Sequence, residues 1–165
     1  MIDQQRVVKV GMAEFDVIEK EGLIRTTGLG SCVGVTLYDP QVKIGGLAHV
    51  MLPSSDIARE GALNIAKYAD TAVPAIYQKL IELGASPKRL VAKMAGGSQM
   101  FSFAGKGDAL RIGPRNVESC KLKLDELGIP LIGEDTGGNY GRTIEMDCET
   151  GILFIRSVQM GKKEL

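Results

Sequence analysis

Hydrophobic positions along the chain follow two periods. Residues 7–18 mix Val, Phe and Ile with charged residues in rough alternation, which predicts a strand continued by extended chain at 23–26. The β-branched and aromatic run Val33-Gly34-Val35-Thr36-Leu37-Tyr38 ends at Asp39-Pro40, a turn signal. A second apolar run, 44–52, stops at Pro53. The two runs predict a hairpin. Residues 54–68 are polar and read as an excursion.

Further along, the period lengthens. Val73, Ile76, Leu80 and Leu83 share one helical face, with Asp70 placed to cap, Pro74 tolerated in a first turn, and Gly84 ending the helix. Val117, Cys120, Leu124 and Leu127 do the same between Pro114 and Gly128. Strands are predicted at 90–95 and 129–133. A second hairpin pairs 142–148 with 152–158 around Glu149-Thr150-Gly151. No linker or repeat divides the 165 residues. The expected architecture is one α+β domain over 1–165, with sheets covered by two main helices.

Charge narrows the partners. Twenty basic residues balance twenty acidic ones and no Lys/Arg cluster stands out, which argues against nucleic acid. No window approaches 18 uninterrupted apolar residues, so no membrane insertion is expected. The first fifteen residues lack the apolar stretch of a signal peptide. Three cysteines form no disulfide framework, which fits a reducing, cytoplasmic setting.

The chemistry concentrates in Gly28-Leu29-Gly30-Ser31-Cys32-Val33-Gly34. Cys120 lies on a helical apolar stripe, and Cys148 shares a strand face with Ile144 and Met146; both read as small core hydrophobes. Cys32 sits instead among glycines, where a substrate carbonyl can approach the main chain. Backbone N–H groups around Gly30, Ser31 and Cys32 are candidate oxyanion donors. Taken alone, Cys32 can equally be a buried cysteine opening a strand. The G-x-nucleophile-x-G string is not an α/β-hydrolase elbow, because a strand follows it rather than a helix.

His49, the only histidine, lies on the apolar run Gly45-Gly46-Leu47-Ala48-His49. A hairpin turning near 40–43 places positions 32 and 49 almost opposite, at cross-strand Cβ distances of about 4.5–5.5 Å. A dyad would follow, with the imidazole taking the thiol proton and stabilising a thiolate–imidazolium pair. One His and three scattered Cys make a poor zinc set, so no metal is expected. Gly96-Gly97 and Gly137-Gly138 read as turns, and no P-loop string occurs. Met100, Phe101 and Phe103 follow the first of these turns and are candidates for core or for an apolar contact with a protein partner.

The ordered set IRTTGLGSCVGVTLYD, GGLAHVMLP, KMAGGSQMF, IGPRNV and EDTGGNYGRTIE resembles the bacterial chemoreceptor glutamine deamidase family, CheD. The resemblance runs over nearly the whole chain. It implies a protein-glutamine glutaminase that converts glutamine amides of methyl-accepting chemotaxis receptors to glutamate, releasing ammonia, with some action on glutamate methyl esters. It implies two packed β-sheets flanked by helices in α/β/β/α layers, similar to the catalytic domain of a deamidating toxin. It implies a Cys–His–Thr arrangement, carried here by Cys32, His49 and Thr26, with no cofactor. It also implies a second partner in some bacteria, a CheC-type phosphatase of the response regulator. A thiol peptidase or acyl transferase using the same dyad, and, within what the resemblance implies, a non-catalytic chemotaxis binding module, remain alternatives.

Overall fold

The computed structural model describes residues 6–57, 63–99 and 111–165. In chain order its strands are β1 (Val7–Lys9), β2 (Phe15–Glu19), β3 (Leu23–Leu29), β4 (Val33–Asp39) and β5 (Ile44–Val50), then, after helix α1 (Ala69–Glu82), β6 (Val91–Gly96). Helix α2 (Ile112–Glu126) precedes β7 (Leu131–Thr136), β8 (Arg142–Asp147), β9 (Leu153–Ser157) and β10 (Gly161–Glu164). Two sheets result, ordered β1-β3-β8-β9-β10 and β2-β5-β4-β6-β7.

The alternation in β4 and β5 sorts their side chains to two sides. Val33, Val35, Leu37, Ala48 and Val50 pack with Val73, Ile76 and Leu80 of α1 and with Cys120 and Leu124 of α2. Tyr38 and Leu47 join Ile24, Leu29, Ile144 and Met146 of the other sheet. Every residue of both strands is buried, as expected for a sheet covered on two faces.

The class α+β with two packed sheets and outer helices agrees with expectation. The layering is simpler than α/β/β/α. Both helices lie against the same sheet and each other, giving β/β/α among the described residues. The outer face of the β1-β3-β8-β9-β10 sheet carries Arg25, Thr143, Glu145, Arg156 and Lys162 around Phe154, a mostly polar set.

Local departures have local causes. The single strand expected over 7–18 is two strands in different sheets. A turn with Ala13 at φ 59°, in which the Gly11 N–H donates to Glu14 Oε1, carries the chain from one sheet to the other. Asp70 does not cap α1. It lies inside the helix, and its carboxylate accepts the N–H and hydroxyl of Ser55 at 2.8 and 2.7 Å. Pro74 falls beyond the first turn, removing a helical donor that α1 tolerates with its neighbours Val73 and Ile76 fully buried. The short strand β10 carries Lys162-Lys163-Glu164, all exposed, and so lacks the apolar alternation that marks the other strands.

Candidate active site

The site lies where β3, β4 and β5 end together at one edge of the sandwich. Strand β3 pairs with β8 as Thr26 with Ile144 and then Leu29 with Arg142, so one extra residue is inserted. Gly28 takes the left-handed turn of this bulge at φ 73°, and a Cβ there would meet nothing within 4 Å. The glycine is therefore required by conformation rather than by space. The bulge lets both Thr26 and Leu29 point into the sandwich, although three positions separate them.

The β4–β5 hairpin differs in register from the expected one. The last pair is Asp39 with Ile44, and Lys43 turns with φ 55° while its N–H donates to Asp39 O at 2.9 Å. His49 consequently faces Gly34 rather than Cys32. Cys32 is two residues further along on the same face, a diagonal neighbour for which strand geometry gives a Cα separation of roughly 7–8 Å, with Cβ atoms closer. The parity is unchanged. Cys32 packs in the inter-sheet cluster with Leu29 and Ile144, whereas Val33 turns to the helices. Its residue is 8% exposed, while Cys120 and Cys148 are sealed at 0%.

His49 is fully buried, and its ring is fixed by one neighbour. Nδ1 lies 2.7 Å from Thr26 Oγ1. The same hydroxyl lies 2.7 Å from the Val10 carbonyl oxygen, which can only accept. A hydroxyl has one proton, and Val10 takes it. Nδ1 must then carry a proton and donate to Thr26, which leaves the lone pair on Nε2. That atom is buried with no hydrogen-bond partner among the described residues, the Cys32 sulfur included.

Burial pushes the Cys32 thiol up from its ordinary value of 9.0 and the His49 imidazole down from 6.5. Both shifts favour the neutral forms. Burial thus favours a thiol and a neutral imidazole over the thiolate–imidazolium pair expected from residue types.

Three carbonyls of the cysteine loop are held inward. Gly30 O accepts from Ser98 N–H at 2.9 Å, Ser31 O from Asn116 Nδ2 at 3.0 Å, and Cys32 O from Gly97 N–H at 2.8 Å. A Cβ at Gly96 would strike the Cys32 carbonyl oxygen. Among the expected backbone donors, Gly30 N–H is committed to Gly28 O at 3.1 Å. The N–H groups of Ser31 and Cys32 have no acceptor among the described residues.

Three contributors escaped the sequence reading. Asn116 shares the buried face of α2 with Cys120 and Leu124 at intervals of four, so a polar residue on that stripe was the available signal. Arg142 likewise shares the inward face of β8 with Ile144 and Met146. It pairs with Asp135 at 3.2 Å, donates to Ser98 Oγ and Gly137 O at 2.9 Å each, and stacks on Tyr140. Ser98, so held, donates its N–H to the cysteine loop. Gly96 ends β6 and Gly97, Gly137 and Gly138 follow strand ends, all at positive φ, tied by Gly137 N–H to Gly96 O at 3.0 Å and Gln99 N–H to Gly138 O at 2.9 Å. Met100, Phe101 and Phe103 lie outside the described residues. Among the described residues no three His, Cys, Asp or Glu side chains converge as a metal site would require. No described helix is long and apolar enough to cross a membrane.

Residues 51–157 match the family model described as CheD chemotactic sensory transduction. The chain is 55% identical to the chemoreceptor glutamine deamidase CheD of Halalkalibacterium halodurans, over 96% of this chain and 98% of that one.

The chain belongs to the CheD family.

A probable chemoreceptor glutamine deamidase CheD of Geobacillus kaustophilus is 52% identical over 97% of this chain and 98% of its own. The chemoreceptor glutamine deamidase CheD of Bacillus licheniformis is 49% identical over 94% and 92%. The matched span of the family model starts after Thr26, Cys32 and His49, whereas the full-length relatives extend across almost the whole chain. A solved Neisseria meningitidis protein of family-model DUF152 aligns at a TM-score of 0.49 and 11% identity, covering 82% of this chain and 65% of that one.

Proposed function

We propose that this chain is a cytoplasmic chemoreceptor glutamine deamidase in which Cys32 is the nucleophile, His49 the general base and acid, and Thr26 the group that sets the imidazole. The observation that carries the chemistry is the Thr26 hydroxyl between Val10 O and His49 Nδ1, which leaves a bare Nε2 on the face that Cys32 shares. The names and near full-length identity of the relatives support the substrate class.

In the reaction, Nε2 takes the Cys32 proton as sulfur bonds to the glutamine side-chain carbonyl carbon. The carbonyl electron pair moves to oxygen, which faces the N–H groups of Ser31 and Cys32. One such donor is worth about 2.7–4 kcal/mol in related acyl-transfer sites. Collapse breaks the carbon–nitrogen bond, and the imidazolium gives its proton to the departing nitrogen, releasing ammonia. Water then loses a proton to Nε2 and attacks the thioester. The thiolate leaves, recovers its proton from the imidazolium, and glutamate remains. Thr26 keeps Nδ1 protonated throughout, so the base always lies on Nε2. Cys32 is buried at 8% exposure, which suits a side chain inserted by a protein substrate.

The test is incubation with a purified receptor cytoplasmic fragment. The expected result is release of ammonia together with conversion of specific glutamines to glutamates, lost in Cys32→Ala. Chain cleavage would identify a peptidase, and tight binding with unchanged glutamines a non-catalytic module. A CheC-type phosphatase is proposed as a second partner on family membership alone, and its saturating addition should slow the deamidation.

A further inference from the structure

We propose that Asn116 is a positioning residue whose side-chain amide aims the Ser31–Cys32 peptide, turning the Cys32 N–H toward the oxygen of the attacked carbonyl. The proposal rests on the deamidase reading and adds to it a residue of α2.

The amide of Asn116 is fully buried, and Nδ2 donates to two carbonyls, Ser31 O at 3.0 Å and Met51 O at 2.9 Å. Two acceptors fix which end of the amide faces them, because an oxygen there would meet two oxygens. In a planar trans peptide, the C=O of one residue and the N–H of the next point in opposite directions. Drawing Ser31 C=O toward α2 therefore turns Cys32 N–H away from it. The preceding peptide is set in the same way by Ser98 N–H on Gly30 O, which turns Ser31 N–H outward. These two N–H groups are the ones that find no acceptor among the described residues.

Two features separate this role from ordinary packing. Asn116 Oδ1 is buried without a partner among the described residues, an arrangement that serves the nitrogen and leaves the oxygen unsatisfied there. Met51, the second acceptor, lies two residues beyond His49 on the same stretch of chain. One amide thus ties the segment carrying the thiol to the segment carrying the imidazole. Among the described residues it is the one side-chain donor to the carbonyls of Gly30, Ser31 and Cys32, the other two donors being main-chain groups.

The experiment compares wild type, Asn116→Ala and the milder Asn116→Ser in two assays on the full chain. The first is receptor deamidation, which needs the oxyanion donors. The second is the pH profile of Cys32 alkylation by iodoacetamide, a displacement that forms no oxyanion. The expected result for Asn116→Ala is a kcat lower by about 100-fold, the loss typical of an oxyanion donor, with KM and the alkylation profile close to wild type. An unchanged kcat would overturn the proposal. So would an alkylation midpoint that moves in step with kcat, because Asn116 would then only hold the site together.

Where both variants fail to fold, wild type decides alone. In 15N-labelled protein, a peptide bearing an aldehyde in place of the glutamine carboxamide adds the Cys32 thiol to form a hemithioacetal. The amide protons of Cys32 and Ser31 should then show the largest downfield shifts, and unmoved resonances in an adduct-bearing protein overturn the proposal. Wild type that leaves receptor glutamines intact sinks the deamidase reading instead, while the aldehyde adduct still reports where the Cys32 N–H points.

Discussion

The two interiors of this molecule are built to different rules. Between sheet and helices, Val33, Val35, Ala48, Val73, Ile76, Leu80 and Leu124 form an almost wholly apolar layer. Between the two sheets, β5 contributes His49, the residue just before β4 is Cys32, and β3 contributes Thr26, all buried on the side of Ile24, Leu29 and Ile144. Neighbouring residues thus serve different purposes: Val33 and Val50 pack against the helices, while Cys32 and His49 face the other sheet and His49 Nε2 has no hydrogen-bond partner among the described residues. A lone buried imidazole nitrogen costs stability. The apolar layer on the far side of β4 and β5 supplies the rigidity that holds it in place.

The largest expected effect on function is at Cys32. Cys32→Ala should abolish deamidation while the thermal unfolding midpoint, read by circular dichroism, stays near wild type, since only a sulfur at the mouth of the sandwich is lost. His49→Ala should lower kcat by about 10²–10⁴-fold, the usual worth of a positioned acid–base group, measured by ammonia release. Thr26→Val keeps the shape and removes the hydroxyl. It should slow turnover by less than His49→Ala, because the ring loses its tautomer control but not its base. Ile76→Ala, on the helix side, should lower stability by about 2–5 kcal/mol in urea titration and leave kcat per folded molecule nearly unchanged. An Ile76→Ala variant that folds but loses activity would erase the distinction between the two interiors.

The pH dependence follows from burial. Deamidation should show a broad plateau, its acid limb below 6.5, where the depressed imidazole gains a proton, and its alkaline limb above 9.0, where the raised thiol ionises. The linkage has one sign for His49. Its folded value lies below its unfolded one, so the unfolded chain binds the proton first as pH falls. Its stabilising contribution is complete above 6.5 and is lost as pH falls through the depressed folded value. The urea midpoint of wild type should therefore drop more steeply below 6.5 than that of His49→Ala.

Much of this arrangement was legible in the chain. The hairpin of β4 and β5, the apolar stripes of α1 and α2, and the separation of Cys32 from the core cysteines all follow from local patterns. The exact register did not, because it depends on a turn in which Lys43 adopts a left-handed conformation that no residue type there demands. The split of the first strand hid for the same reason, at Ala13. The supporting residues escaped because their contacts are distant in sequence: Asn116 reaches Ser31 and Met51, and Ser98 reaches Gly30. A polar residue on an apolar stripe, as at Asn116 and Arg142, was the one local trace they left.

The account stands on covalent catalysis by Cys32, and acid-quenched mixing with a receptor fragment tests that most directly. Intact-mass analysis of the quenched mixture should find a hydroxylamine-sensitive adduct on Cys32 equal to enzyme plus fragment less one ammonia. Converted glutamines with no such adduct in wild type, or undiminished conversion by Cys32→Ala, would contradict it.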